Sequence, residues 1–215
     1  MESARSTSAL IEKYCARHSS PPPILLQELE RETHLKTLSP QMITGHLQGR
    51  LLSLVSQMIN PSRVLEIGTF TGYGALCLAE GLTHDGILHT IESNDVYDHI
   101  ARSYVDRSPY QYQIVLHHGD ALMIIPTLSD VYDLVYLDGS KKEYQAYFQM
   151  IFPSVRPGGI ILADNLLWSG KVLDDNRDGD SEALRDFAEM ISQDMRVDQL
   201  LLPVRDGLLI CRKTM

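Results

Sequence analysis

Long apolar runs are missing from this sequence of 215 residues: none reaches the ~18 residues of a membrane span. No apolar core follows Met1-Glu2-Ser3-Ala4-Arg5, so a secretory signal peptide is not expected. Cysteine is sparse and odd in number. Cys15, Cys77 and Cys211 lie far apart, which suits buried thiols in a reducing compartment, the cytoplasm, better than a disulfide framework. Basic residues are outnumbered, 19 Lys and Arg against 28 Asp and Glu, for a net charge of −9. That balance counts against a general binder of nucleic acid or of an anionic membrane. Internal repeats and low-complexity tracts are absent as well. What remains is globular composition, 44% hydrophobic and 22% charged, at a length that suits one domain with a sizeable core.

The chain reads as a single domain, 1–215, with a helical extension over 1–60 and an α/β core over 61–215. Helices are expected over 8–17, stopped before Ser19-Ser20-Pro21-Pro22-Pro23, and over 24–38. Ser39-Pro40 looks like the N-cap and first position of a third, along which Leu47, Leu51, Val55 and Met58 recur at helical spacing. Beyond Pro61, short apolar strands at 63–68, 86–92, 113–118, 132–137 and 159–163 alternate with helices at 75–82, 96–105, 121–128 and 143–155. Such alternation predicts a parallel sheet covered on both faces. After a helix at 181–191, strands 197–204 and 207–212 are separated only by Arg205-Asp206. So short a link cannot cross over, which makes the pair an antiparallel hairpin. The expected fold is a Rossmann-like three-layer sandwich: a mostly parallel seven-stranded sheet, a C-terminal antiparallel hairpin, and N-terminal helices packed on the sheet or on a second copy.

Chemistry concentrates at the strand ends. Val64-Leu65-Glu66-Ile67-Gly68-Thr69-Phe70-Thr71-Gly72-Tyr73-Gly74 places three glycines between a strand and a helix. Glycines there let a ligand touch the main chain, and the helix start supplies free N–H groups. The spacing G-x-x-x-G-x-G is not the G-x-G-x-x-G of a pyrophosphate cradle. Glu92 ends the second strand, where an acid can accept from both hydroxyls of a ribose. Asp120, before Ala121, can meet an adenine edge or cap the helix that follows, and the two roles are compatible. Asp138, Asp164 and Asn165 close the fourth and fifth strands. With no His or Cys close by in sequence they form an oxygen-only half-shell suited to Mg²⁺, or to Mn²⁺ or Ca²⁺. Lys141, three residues past Asp138, can lean over that site as a general base.

At these residues the sequence resembles the cation-dependent class I S-adenosylmethionine O-methyltransferases, the family of catechol and caffeoyl-CoA O-methyltransferases. The likeness runs from about Tyr14 to Cys211. It rests on LEIGTFTGY, Glu92, DGSKKEY from Asp138, ADNLLWSGKV from Ala163, PQMITGHLQGRLL from Pro40 and LLPVRDGL from Leu201. It implies S-adenosyl-L-methionine as cofactor, with Asp138, Asp164 and Asn165 as metal ligands and Lys141 as base beside Asp138. It further implies Glu92 on the ribose and Asp120 with Ala121 on the adenine. Met42, Thr44, Glu66, Gly68, Tyr73 and Gly74 fall at the methionine end. Gly74 departs from the family, which has Ser there to help hold the methionine carboxylate. A vicinal-dihydroxy phenolic acceptor and a homodimer are the family's expectations.

Other signals are weaker. Asp174-Asp175-Asn176-Arg177-Asp178-Gly179 opens like a calcium loop, but its twelfth position is Arg185 rather than Glu. A lid beside the metal site is the better reading. His117-His118 has no third ligand in sequence for zinc. Trp168 is read equally well as a pocket wall or as core. Two rival functions are a tRNA hydroxyuridine O-methyltransferase of the same family, which needs a basic track that the acidic stretch 174–180 opposes, and a non-catalytic nucleotide-binding module, which does not need Asp138, Asp164, Asn165 and Lys141 together.

Overall fold

The structure is a computed structural model that describes residues 2–174 and 178–215. Five parallel strands, β1 (Arg63–Ile67), β2 (Ile87–Glu92), β3 (Ile114–His118), β4 (Tyr132–Leu137) and β5 (Val155–Ala163), join β6 (Val197–Leu202) and β7 (Leu208–Lys213) in one sheet of order β3-β2-β1-β4-β5-β7-β6. β7 runs antiparallel between β5 and β6, as the short link requires. Helices α1 (Glu2–Arg17), α2 (Ile24–Lys36) and α3 (Gly45–Ile59) precede the sheet. The others are α4 (Tyr73–Ala79), α5 (Asp98–Arg107), α6 (Ala121–Ile124), α7 (Tyr144–Ile151) and α8 (Gly179–Ser192).

Strand side chains alternate between two cores. Val64, Leu134 and Tyr136 face α2, α4 and α5, whereas Leu65, Val135 and Leu137 face α6, α7 and α8. The chain winds outward from β1 to β3 and then returns to place β4 on the other side of β1. A crevice opens at the carboxyl ends of strands where the winding reverses, here between β1 and β4. Ladder bonds continue one residue past the strands: the N–H groups of Gly68, Asp138 and Asp164 bond the carbonyls of Ile91, Ile67 and Leu137 at 2.9, 2.8 and 2.9 Å. The strand tips are therefore held in a row.

Several local expectations differ from the structure. Ser39-Pro40 starts only a short 3-10 turn (Pro40–Met42), without a side-chain cap, and α3 begins at Gly45. α4 begins at Tyr73, inside the glycine turn rather than after it. The fully buried residues of α3 are Gln48, Gly49, Leu52, Ser53 and Ser56, while Leu47, Leu51 and Val55 are half-buried and Met58 exposed. Small and polar residues let α3 approach α4 closely, and Arg50 and Glu80 pair across that contact at 2.6 Å. The N-terminal helices pack on this same chain: α2 and α3 both contact α4. Among the described residues no helix is long and apolar enough to cross a membrane.

Candidate active site

Two flanks meet at the β1–β4 crevice. On the β1 side, Met42, Ile43, Thr44, Gly68, Thr69, Phe70, Thr71, Tyr73 and Asp138 line one small cavity. Gly68 adopts φ +104°, and a Cβ there would overlap the Asp138 carbonyl. Only glycine lets the two strand tips approach this closely. Glu66 is 1% exposed beside the turn. Its Oε2 accepts from the Thr90 hydroxyl at 2.5 Å, and Thr69 extends the chain. Its Oε1 has no partner among the described residues. Burial pushes the Glu66 carboxyl up to about 8, against the Thr90 hydrogen bond and with the help of the nearby charges of Asp138 and Glu92. Gly74 lies against this carboxylate: a Cβ at 74 would collide with Oε1 and sit 3.4 Å from the Thr44 hydroxyl. The missing side chain at 74 thus leaves room for the acid.

Glu92 is oriented by main chain, accepting from Phe70 N–H at 2.8 Å and from Asn94 N–H at 2.9 Å. Each oxygen keeps a lone pair for a ligand. Asp120 caps α6 through the Leu122 N–H at 2.9 Å.

On the other flank, Leu137 pairs with Ala163 across β4 and β5, so the residues that follow, Asp138 and Asp164, stand on adjacent tips. Lys141 Nζ bonds Asp138 Oδ1 at 2.9 Å and the Tyr144 hydroxyl at 3.0 Å. That hydroxyl in turn lies 3.0 Å from the Leu137 carbonyl and 3.1 Å from that of Asp164, tying both tips to α7. Burial pushes the Asp138 carboxyl up to about 6; Lys141 opposes the rise and the Asp164 charge adds to it. Asp164, 5% exposed, accepts from Asn165 N–H at 2.8 Å, Gln48 Nε2 at 2.6 Å and the Tyr136 hydroxyl at 3.1 Å. Burial, with Asp138 and Asp164 beside it, holds the Tyr136 phenol well above its ordinary range, so it remains a donor. Asn165 adopts φ +63°, and its carboxamide makes no hydrogen bond within the described residues.

The geometry brings Met42, Thr44, Gly68, Tyr73 and Asp138 to one cavity, with Glu66 and Gly74 packed against each other beside it. Asp138, Lys141 and Asp164 form a second cluster, and Glu92 hangs on the backbone of the turn. Sequence reasoning missed Gln48, Tyr136, Tyr144, Arg205 and Asp206. Tyr144, Gln48, Arg205 and Asp206 lie within stretches that carry the family resemblance, but no chemical pattern there singles them out as site residues. Asp206 accepts from Ser169 N–H, and burial raises its carboxyl with the Asp164 charge adding to the rise. Trp168 is half-buried and packs against the core on the α6–α8 side. In the calcium-like loop Asp175, Asn176 and Arg177 lie outside the described residues. Asp178 there caps α8 and pairs with Lys171 at 2.8 Å, and Arg185 binds the carbonyls of Lys171 and Asp174.

The sequence pattern of the O-methyltransferase family matches residues 16–214. The chain belongs to that family. A catechol O-methyltransferase of Niastella koreensis is 32% identical over 168 residues, 76% of each chain. The solved O-methyltransferase TomG of Streptomyces achromogenes, involved in tomaymycin synthesis and crystallised with S-adenosylmethionine, superposes with a TM-score of 0.89 at 28% identity, over 95% of this chain and 96% of its own. A methyltransferase of Podospora anserina bound to S-adenosylhomocysteine gives 0.90 at 27% identity, over 98% and 96%. This class I O-methyltransferase thus shares the overall fold of these solved relatives.

Proposed function

We propose that this methyltransferase moves the methyl group of S-adenosylmethionine to one of two adjacent hydroxyls on a small phenolic acceptor, with a divalent cation at Asp138, Asp164 and Asn165. The observation that carries the reading is the meeting of two unlike flanks at one crevice. The glycine-walled cavity and the acid pair with its lysine share Asp138.

The donor set fits such a cation. Two carboxylates on adjacent tips and a carboxamide with no partner among the described residues are hard oxygen donors. Among the described residues no three His, Cys, Asp or Glu side chains gather into a metal site, and this reading takes the Asn165 amide oxygen as the third protein ligand. The Asp138 carboxyl is raised chiefly by burial, and the Asp164 charge on the neighbouring tip adds to the rise. When bound, a divalent cation orients two vicinal oxygens and makes the attacking hydroxyl more acidic.

The chain's own residues do the rest. Glu92 receives the ribose hydroxyls, and Asp120 with Ala121 borders the adenine. Met42, Thr44, Gly68, Tyr73 and Gly74 enclose the methionine end, where the free oxygen of Glu66 suits its ammonium. Lys141 takes the phenolic proton at Nζ. The oxygen then forms its bond to the methyl carbon as the carbon–sulfur bond breaks. Holding both partners in line supplies much of the rate.

A panel of vicinal diphenols, assayed with Mg²⁺ and with chelator, tests this. Methylation that needs the metal and fails on monophenols is expected. Equal rates under chelation would remove the cation from the reading.

A further inference from the structure

Gln48 is a polar side chain, 2% exposed, in the contact between α3 and the sheet. Its Nε2 donates to Asp164 Oδ2 at 2.6 Å and to the Tyr136 hydroxyl at 2.9 Å. Its Oε1 accepts from Arg205 Nη1 at 3.1 Å. The same guanidinium nitrogen reaches the Ile43 carbonyl at 3.2 Å and also that of Thr44, two walls of the cofactor cavity. A cation on the oxygen and an anion on the nitrogen fix which way the amide points.

We infer that Gln48 is a positioning residue: it fixes the plane of the Asp164 carboxylate for a divalent cation, and Arg205 ties that plane to the cavity wall. The inference rests on the ligand role proposed for Asp164. A carboxylate held at one oxygen can still rotate. Asn165 N–H holds Oδ1 and Gln48 with Tyr136 holds Oδ2, so the orientation is set. Both groups on Oδ2 are neutral, so they orient the charge without cancelling it. Arg205, the cation in this chain of contacts, is one residue removed and is spent on an amide oxygen and two carbonyls. A carboxamide is suited to this place because it accepts from a guanidinium at one end and donates to a carboxylate at the other. Leucine would fill the volume and leave Arg205, Tyr136 and Asp164 each one partner short.

The test is Mn²⁺ binding to the full chain, read from the resonance of the free ion, beside S-adenosylhomocysteine affinity and the melting temperature. Gln48→Leu should weaken Mn²⁺ by about 10- to 100-fold, the usual cost of losing a partner behind a metal ligand, with cofactor affinity changed less than about twofold. Asp164→Ala should abolish Mn²⁺ binding. If Asp164→Ala loses the ion and Gln48→Leu binds it like the wild type, this inference falls and the metal reading stands. If the wild type binds no Mn²⁺, both fall. Should Gln48→Leu not fold, Arg205→Met at the hairpin tip decides: a several-fold loss of Mn²⁺ affinity is expected, and an unchanged constant overturns the inference.

Discussion

The β1 flank of the crevice and the β4–β5 flank solve different problems. The first is built by absence. Gly68 and Gly74 carry no side chain, and backbone N–H groups orient Glu92. The second is built by charge: Asp138 and Asp164 are held together by Lys141, Tyr144, Tyr136 and Gln48, from four separate elements. The glycine turn at the heart of the backbone flank is written in one short consecutive stretch, 64–74. The flank made of side-chain contacts draws on positions up to 116 apart in sequence.

Removing the proton acceptor proposed for the charged flank should have the largest effect. Lys141→Ala is expected to lower kcat by about 10²–10⁴, the usual range for a general base, and to lower the melting temperature too, because Asp138 loses its ion-pair partner. Single-turnover methylation measures the rate loss, and full activity would leave the charged flank without a base. The backbone flank should break on one methyl group. Gly68→Ala forces an L residue into φ +104° against the Asp138 carbonyl, so a stability loss of about 3 kcal/mol in denaturant titration is expected. A loss below about 1 kcal/mol would show that the tips can part.

Glu66 belongs to the backbone flank yet is a buried titratable group. Its carboxyl titrates near 8 in the folded protein against an ordinary 4.5. The folded state therefore holds a proton that the unfolded state has released between those values. Its contribution to stability must fall as pH rises from about 4.5 to 8 and level off above. Glu66→Gln removes that fall. The melting temperature of the variant relative to the wild type should climb from pH 5 to pH 8, as calorimetry at both pH values would reveal. A constant difference would mean that Glu66 is already ionised. The smallest effect belongs to Asp120. Its cap on α6 is worth about 1 kcal/mol, so Asp120→Ala should lower the melting point slightly. A loss of cofactor affinity beyond that would add the adenine contact to the cap.

Most strands could be read within two residues because their apolar runs are short and bounded by Gly, Asp and Asn. β5 was the exception. It starts at Val155, ahead of Pro157 and two glycines, where propensity argues against a strand and pairing of Val155 with Tyr132 supplies one. Asp138, Asp164 and Lys141 were legible as a cluster because consecutive parallel strands put their ends side by side. Gln48 was not. It lies next to Leu47 of the more visible apolar stripe, and nothing local marks α3's buried side as the one with Gln, Gly and two serines. Helical periodicity finds the helix, but which side is buried depends on how closely α4 approaches.

By itself the sequence determined the strand–helix alternation, the antiparallel end and the chemistry waiting at each strand tip. Local spacing, glycine placement and link length are enough to decide those. Only the tertiary structure decided that Gln48 and Arg205 stand behind Asp164 and that Gly74 makes room for Glu66. These contacts join residues from different elements, and their partners are chosen by packing distance rather than by neighbours in the chain.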